Sequence, residues 1–178
     1  MLAWSRSNTL EISLVQFNPI VKDAVELVRA ACQRKEIVLT SFVEGDLPPI
    51  PIDGTAILQV LLNVLKNAID ASPSKTGKVT IAASIPEPGE FLEINITDNG
   101  DGIEPGRRET VFVAFHTTKG QRGTGLGLAV SKKIVLEHKG TIEMLDGEGG
   151  GTRCRITLPL SREDDPGDTH SPTQSGDE

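Results

Sequence analysis

The sequence predicts an α+β fold, a two-layer sandwich in which helices pack on one face of a mixed, mostly antiparallel sheet. Two observations predict it. Segments with helical and strand-like periodicity follow one another in the order α-β-α-β-β-loop-α-β-β, which fits helices that cover one side of a mixed sheet. The chain has 178 residues, 37% of them hydrophobic, and this suits one domain with a buried core.

The first half of the chain is predicted to form a helix, a strand and a second helix. In "FNPIVKDAVELVRAACQRK", Asn18 is the predicted N-cap and Pro19 the first helical residue. The apolar residues at helical spacing are Ile20, Ala24, Leu27, Val28 and Ala31. The strand "IVLTSFV" follows, and then "EGDLPPIPID", whose prolines exclude a helix. Asp53 is predicted to cap a second helix that runs to about Ser72.

The second half is predicted to contain four strands and a third helix. The strands "KVTIAASI" and "EFLEINITD" are separated by the turn-forming "PEPG", which predicts an antiparallel pair. Residues 99–123 are rich in glycine and polar residues and are predicted to be a loop. A helix from about Thr124 to His138 leads into the strands "TIEMLD" and "TRCRITLPL", which "GEGGG" joins.

Charge and composition argue against nucleic-acid binding. Of the net charge of -7, residues 161–178 carry -5, from six acidic residues and one arginine, so the remainder carries -2. A nearly neutral body with 3% aromatic residues offers neither phosphate neutralisation nor stacking platforms. The segment 161–178 has no large apolar residue and is predicted to be a disordered acidic tail.

Membrane and disulfide signals are absent from the sequence. No apolar run approaches the roughly 18 to 20 residues that span a bilayer, and the N-terminus lacks the apolar core of a signal peptide. The two cysteines, Cys32 and Cys154, are too few for a disulfide framework and are predicted to be reduced thiols. We therefore expect a cytoplasmic domain with no membrane contact of its own.

The stretch "EFLEINITDNGDGIEP" reads as a strand whose apolar face ends in a carboxylate. Side chains alternate along a strand, so Leu92, Ile94, Ile96 and Asp98 share one face. A buried carboxylate is costly unless it accepts hydrogen bonds. Glycines at positions 100 and 102 leave room for a close neighbour. Asp98 is therefore predicted to accept hydrogen bonds.

The second helix carries an amide pair on its polar face. Its apolar stripe consists of Leu58, Leu61, Leu62, Leu65 and Ile69. Its polar stripe consists of Gln59, Asn63, Lys66, Asn67 and Asp70. Asn63 and Asn67 are four residues apart and lie on one face, where amide oxygens could ligate a magnesium ion that keeps most of its waters. Taken alone, the pattern fits a solvated helix face better than a metal site.

A glycine-rich stretch precedes the third helix, in "FVAFHTTKGQRGTGLGLAVSKKI". Gly123, Gly125 and Gly127 lead into a helix whose first turn has unpaired amides, which is a natural anion site. The spacing matches neither the loop that ends in Gly-Lys-Ser/Thr nor the dinucleotide pattern. Taken alone, the stretch fits a flexible loop and glycine-rich turn better than a phosphate site.

Together and in order, these stretches resemble the ATP-binding catalytic domain of sensor histidine kinases. That domain belongs to the superfamily with the Bergerat-type ATP-binding fold, shared with gyrase, chaperone and mismatch-repair ATPases. "NVLKNAIDAS" is similar to the N box, "DNGDG" to the first glycine box, "VFVAFHTTK" to the F box and "GTGLGL" to the second glycine box. "GGGTRCRITLPL" resembles the closing glycine-threonine and strand. The resemblance covers roughly residues 9–160.

The resemblance implies roles for individual residues. Asp98 would accept from the adenine amino group, Asn67 would be the main magnesium ligand, and Asn63 would support it. Lys119 would join these two asparagines in the catalytic set as a phosphate partner, on a lid between 101 and 122 that closes over ATP. The implied nucleotide contacts also include Lys66, Asp70, Gly100, Gly102, Ile103, Phe115, Thr117, Thr118, Gly123, Thr124, Gly125, Leu126, Gly127, Leu128 and Thr152.

One substitution separates the subfamilies that the chain resembles. The hydrolysing relatives carry a water-activating glutamate where this chain has Asn63, and an amide is no general base at neutral pH. The resemblance thus implies a kinase of two-component signal transduction, which transfers the γ-phosphoryl group of Mg-ATP to a histidine and hydrolyses ATP slowly. At position 70, where many members carry lysine or histidine, this chain has an aspartate.

The three histidines, His116, His138 and His170, do not resemble a phosphoacceptor. The resemblance therefore implies a separate partner, the histidine-containing dimerisation hairpin of the parent or of a partner kinase, and indirectly a response regulator. It also implies a linker remnant at 1–8, a catalytic domain at 9–160 that is monomeric in isolation, and a parent protein that is either free or membrane-anchored. The alternatives are a non-catalytic nucleotide-binding module and an anti-sigma type of serine kinase. The presence of all the boxes favours the histidine kinase.

Overall fold

The computed structural model describes residues 10–113 and 125–161. Within these ranges the helices are α1 (Phe17–Lys35), α2 (Gly54–Ala71) and α3 (Gly127–Glu137). The strands are β1 (Ser13–Val15), β2 (Val38–Val43), β3 (Ile50–Ile52), β4 (Lys78–Ser84), β5 (Phe91–Asp98), β6 (Thr141–Asp146) and β7 (Thr152–Pro159). Two short 3-10 helices, Pro105–Arg107 and Thr110–Phe112, follow β5.

Five of the strands form one mixed sheet in the order β2-β4-β5-β7-β6. The β2–β4 pair is parallel and the other three pairs are antiparallel. The predicted hairpin is thus confirmed as β4 and β5, with Ile81 opposite Ile96 and Val79 opposite Asp98. The predicted mixed, mostly antiparallel sheet is confirmed.

The helices cover one face of this sheet. Alternate residues of the central strands are buried on that face: Val79, Ile81, Ala83, Leu92, Ile94, Ile96, Cys154, Ile156 and Leu158. Helix α2 packs against both α1 and α3, so it lies in the middle of the helical layer. Its buried residues include Leu61, Leu65 and Ile69, whereas Leu58 and Leu62 are only partly buried. The middle helix is therefore the one that carries the amide pair.

The start of α1 differs from the prediction. The helix begins at Phe17 with Gln16 at the N-cap position, so the prediction of Asn18 as the cap was wrong. Phe17 is fully buried, and the Asn18 side chain instead donates to the Gly45 carbonyl at 3.4 Å. Pro19 is tolerated because first-turn amides have no intrahelical partner. Leu27, assigned to the apolar stripe, is 62% exposed.

Asp53 caps α2 as predicted. Its Oδ1 accepts from the Ala56 amide at 3.0 Å, and its Oδ2 accepts from the Glu11 amide at 3.1 Å. The backbone amide of Asp53 donates to Nε2 of His138 at 3.0 Å, a contact that ties the end of α3 to the start of α2. The predicted boundaries of α3 were too wide at its start, because the helix begins at Gly127.

Two short strands were not predicted. β1 and β3 pair with each other in a separate antiparallel ribbon, with Leu14 opposite Pro51. Each has three residues, which is too short for a periodic pattern. Pro51 made a strand less probable still, since proline cannot donate to a ladder.

Candidate nucleotide-binding site

A cavity of about 460 Å³ lies between α2, the end of β5, the segment that follows it and the start of α3. Its size is in the range of small-molecule sites. Its lining residues are Val64, Asn67, Ala68, Ala71, Ile96, Asp98, Asp101, Gly102, Ile103, Glu104, Arg107, Val111, Leu128, Met144, Thr152 and Cys154. The cavity therefore brings together side chains from all three stretches that the sequence singled out.

Asp98 ends β5 at the bottom of the cavity and is 6% exposed. Its Oδ1 accepts from the backbone amides of Gly100 at 2.9 Å and Thr152 at 3.2 Å. Burial raises the pKa of Asp98 above its usual value, and these two amide hydrogen bonds act against that rise. Among the described residues no donor contacts Oδ2. One carboxylate oxygen is thus fixed to the backbone and the other is available to a ligand.

Three glycines around Asp98 are required, either by a close backbone approach or by a positive φ. A Cβ on Gly100 would lie 2.5 Å from the carbonyl oxygen of Ala71, so the last turn of α2 packs directly on this turn. Gly102 has φ +77, a conformation that favours glycine. Gly151 has φ +78, and a Cβ there would lie 2.1 Å from the Asp98 carbonyl oxygen. Gly151, which precedes β7, thus allows as close a backbone approach next to Asp98 as Gly100 of the first glycine box does.

The floor of the cavity is apolar, and the sequence analysis anticipated its Ile96 on the apolar face of β5 but missed Met144 and Cys154. Ile96, Cys154 and Met144 lie side by side on β5, β7 and β6. Burial, reinforced by the charge of Glu143, raises the pKa of Cys154 to about 12. The thiol therefore stays protonated near neutral pH and serves as an apolar wall. Strand alternation puts Met144 and Cys154 on apolar faces, but the sequence does not reveal which strands are neighbours.

The segment after the first glycine box supplies the remaining lining that the sequence analysis did not assign. Asp101, Glu104, Arg107 and Val111 line the cavity here. They are the polar and charged residues around the two 3-10 helices, together with one valine. Their only sequence signal was their position in the predicted lid between residues 101 and 122.

The two asparagines of α2 have different surroundings. Asn67 is half-buried and lines the cavity. Asn63 lies one turn earlier, and its Nδ2 donates to the Gly127 carbonyl at 3.1 Å and to Oγ of Ser131 at 3.3 Å. Lys66 and Asp70 are exposed on the same helix, outside the cavity lining.

On the side of α2 the cavity lining offers one neutral amide, that of Asn67, and Asn63 lies one helical turn away, outside the lining. The described ranges contain no group of three or more His, Cys, Asp or Glu side chains that could hold a metal ion. Magnesium is a hard cation that keeps several waters and takes further oxygens from bound phosphates. The amide oxygens of Asn67 and Asn63 fit an ion of this kind that arrives with a nucleotide.

The second glycine box leads into α3. Gly125 has φ +64, and Leu126 is the N-cap residue without a side-chain cap, so the first-turn amides of α3 keep the anion-binding character of a helix start. A Cβ on Gly127 would lie 3.5 Å from Cγ of Asn63, which is an ordinary contact. Leu128 lines the cavity. The predicted contacts Phe115, Thr117, Thr118, Lys119, Gly123 and Thr124 lie outside the described residues.

No helix within 10–113 and 125–161 is both long enough and apolar enough to cross a membrane.

Comparison with known sequences assigns most of the chain to one family. Residues 52–162 match the family described as histidine kinase-, DNA gyrase B-, and HSP90-like ATPase, and this region includes α2, α3 and the lining of the cavity. The sensor histidine kinase ZraS of Escherichia coli O157:H7 is 38% identical over 152 residues, which are 85% of this chain. The matched part is 32% of ZraS, so the chain spans about a third of the length of that relative.

Solved structures share the fold. The catalytic domain of histidine kinase ThkA has a TM-score of 0.76 at 28% identity, over 84% of this chain and 96% of that one. ThkA in complex with response regulator protein TrrA matches with a TM-score of 0.74 at 25% identity, over 85% of this chain and 42% of that one. Full-length ShkA in complex with AMPPNP matches with a TM-score of 0.78 at 26% identity, over 88% and 33%.

Proposed function

The chain belongs to the family of histidine kinase-, DNA gyrase B-, and HSP90-like ATPases, and on that premise we propose that it is the catalytic domain of a histidine kinase. In this proposal it binds Mg-ATP and transfers the γ-phosphoryl group to a histidine on a separate dimerisation hairpin, as in two-component signal transduction. Its relatives of known name, ZraS and ThkA, are histidine kinases, and ShkA was solved with the ATP analogue AMPPNP.

The observation that carries the proposal is the buried carboxylate of Asp98 at the end of an apolar cavity. Oδ2 would accept from the adenine amino group, while the backbone amides of Gly100 and Thr152 hold Oδ1. Ile96, Met144 and Cys154 would contact the face of the base. An apolar cavity with one oriented polar group suits a flat heterocycle that carries a donor.

The phosphates would extend from the base toward α2 and the start of α3. Asn67 would ligate magnesium and Asn63 would support it, and the ion would neutralise charge on the phosphate oxygens. Lys119 would contact a phosphate. The further proposed nucleotide contacts are Lys66, Asp70, Gly100, Gly102, Ile103, Phe115, Thr117, Thr118, Gly123, Thr124, Gly125, Leu126, Gly127, Leu128 and Thr152.

Transfer to a histidine is favoured over hydrolysis by the chemistry at position 63. The Nδ2 of Asn63 is a hydrogen-bond donor to Gly127 and Ser131, and an amide does not take a proton from water at neutral pH. A histidine acceptor is itself nucleophilic and needs no such base. The residues of the site then mainly position the phosphates and offset their charge, which is most of what phosphoryl transfer requires.

The phosphoacceptor belongs to a partner in this proposal. His138 is 3% exposed, and both of its ring nitrogens make hydrogen bonds, Nε2 with the Asp53 amide at 3.0 Å and Nδ1 with the Ile134 carbonyl at 2.8 Å. It is therefore unsuited to accept a phosphoryl group. The proposed partners are a dimerisation hairpin and, indirectly, a response regulator. The proposal also divides the chain into a linker at 1–8, a cytoplasmic catalytic domain at 9–160 and an acidic tail at 161–178.

Labelled ATP tests the proposal directly. The chain would be incubated with ATP labelled at the γ-phosphate, first alone and then with separately prepared hairpins from several sensor kinases. We expect acid-labile label on a hairpin, none on the chain itself, and none on either when Asn67→Ala replaces the wild type. Rapid phosphate release or acid-stable label on the chain's own serines would contradict the proposal. Nucleotide binding without transfer to any hairpin would favour the non-catalytic module.

A further inference from the structure

The side-chain amide of Asn63 is held in one orientation by the first turns of α3. Its Nδ2 lies 3.1 Å from the Gly127 carbonyl oxygen and 3.3 Å from Oγ of Ser131. A carbonyl oxygen only accepts, so the nitrogen and not the oxygen of the amide must face it. Within the described part of the chain, no donor contacts Oδ1 of Asn63.

Ser131 completes this arrangement. It is fully buried, and its hydroxyl donates to the Gly127 carbonyl, one helical turn earlier, at 2.9 Å. Since that bond uses the only hydrogen of the hydroxyl, Oγ faces Asn63 as an acceptor. A reversed amide would set Oδ1 against the Gly127 carbonyl oxygen, acceptor against acceptor. Both groups of α3 therefore select the same amide orientation.

We propose that Ser131 is a positioning residue that fixes the Asn63 amide so that Oδ1 faces the magnesium and phosphate end of the site. It acts through Asn63 and makes no contact with nucleotide itself. The inference rests on the proposed function, because it presumes that a nucleotide and magnesium bind here. It adds a residue of α3, buried and outside the cavity lining, to the groups that determine how strongly magnesium supports nucleotide binding.

The test compares Ser131→Ala with a matched control, Ser72→Ala. Ser72 is 2% exposed, and its hydroxyl also donates to a carbonyl four residues earlier, that of Ala68, at 2.8 Å. Both variants remove a buried hydroxyl that donates to the carbonyl four residues earlier, but among the described residues Ser72 has no asparagine partner. AMPPNP affinity would be measured by calorimetry on the whole chain, once with magnesium and once with EDTA.

We expect Ser131→Ala to reduce the magnesium-dependent gain in affinity by about threefold to tenfold, the effect of losing one net hydrogen bond. Affinity in EDTA should not change, since the base end of the cavity is untouched. Ser72→Ala should retain the whole magnesium-dependent gain. Ser131→Thr keeps the hydroxyl, which threonine can direct at the carbonyl one turn back, and should restore the gain.

A second readout does not depend on nucleotide. The side-chain amide protons of Asn63 should show hydrogen-bonded chemical shifts in a nitrogen-proton correlation spectrum of the wild type, and these should move in Ser131→Ala and stay in place in Ser72→Ala. An unchanged magnesium-dependent gain in Ser131→Ala, or an equal loss in Ser72→Ala, would overturn the inference and leave the proposed function standing. A wild type that binds no AMPPNP at all would overturn both.

Discussion

At Asp98 the requirements of folding and of binding oppose each other. Burial raises the pKa of this carboxyl, with the Gly100 and Thr152 amides acting in the other direction. The folded protein therefore favours the protonated acid more than the unfolded chain does. A ligand with a donor needs the opposite, an ionised acceptor. In the proposed function, stability is thus given up for recognition at the residue that the sequence marked as anomalous.

The raised pKa predicts how stability depends on pH. Asp98 contributes stability that is fully present below the ordinary aspartate pKa of about 3.9 and is lost as pH rises through its raised pKa in the fold. Asp98→Asn has no such proton and should not show this loss. The free energy of unfolding of the variant minus that of the wild type, from urea titrations between about pH 4 and pH 8, should therefore increase with pH. A difference that stays constant or falls would contradict the assigned direction.

Among the elements, α2 is fixed at its two ends by different kinds of cap. At its start, the Asp53 cap was predicted because cap and helix are adjacent in sequence. At its end, Nζ of Lys35, the last residue of α1, donates to the carbonyls of Ile69 at 2.7 Å, Asp70 at 3.1 Å and Ser72 at 2.8 Å. This second cap joins residues 34 to 37 positions apart, and no local pattern reveals it.

The Lys35 cap predicts a large effect of a single substitution. A cation at a helix C-terminus is favourable, and a hydrogen bond to a charged group contributes about 1.5 to 3 kcal/mol. Lys35→Met should lower the free energy of unfolding by about that amount and reduce hydrogen-exchange protection in the last turn of α2. Arg34→Met, which removes the same charge from an exposed neighbour, is the control and should change stability by less than about 0.5 kcal/mol. Equal effects of the two substitutions would contradict the Lys35 cap and show that loss of a positive charge alone changes the stability.

At the scale of the whole molecule, the sequence predicted the layers and the order of the large elements. These elements were predictable because each is long enough to show the spacing of its apolar residues, as β5 and α2 do. It did not predict the β1–β3 ribbon, whose strands have three residues each. The N-cap at Asn18 was misplaced because burial of Phe17 moved the start of α1. Tertiary packing determined these features, and local sequence does not encode it.

The residues of the candidate site likewise fall into two groups, those that local sequence predicts and those that only the packing of elements brings together. Asp98 was singled out from its place on one strand, and Asn67 from its place on one helix together with the family resemblance, and both line the cavity. The floor formed by Met144 and Cys154 required the β6–β7–β5 strand order, and the bond from Asn63 to Ser131 required the packing of α3 on α2. Side chains that a single strand or helix pattern marks were thus predictable, whereas contacts between residues of different elements were not.

The central claim is that this cavity binds an adenine nucleotide through Asp98. The most direct measurement is calorimetry of AMPPNP binding, with magnesium at neutral pH, to the wild type and to Asp98→Asn. In the variant, the backbone amides of Gly100 and Thr152 would still donate to the side-chain oxygen. The NH2 of the new side-chain amide would then face the amino group of adenine, donor against donor. We predict that the wild type binds and that the variant binds at least about tenfold more weakly while its urea unfolding remains cooperative. Equal affinity of a folded Asp98→Asn and the wild type would contradict the account.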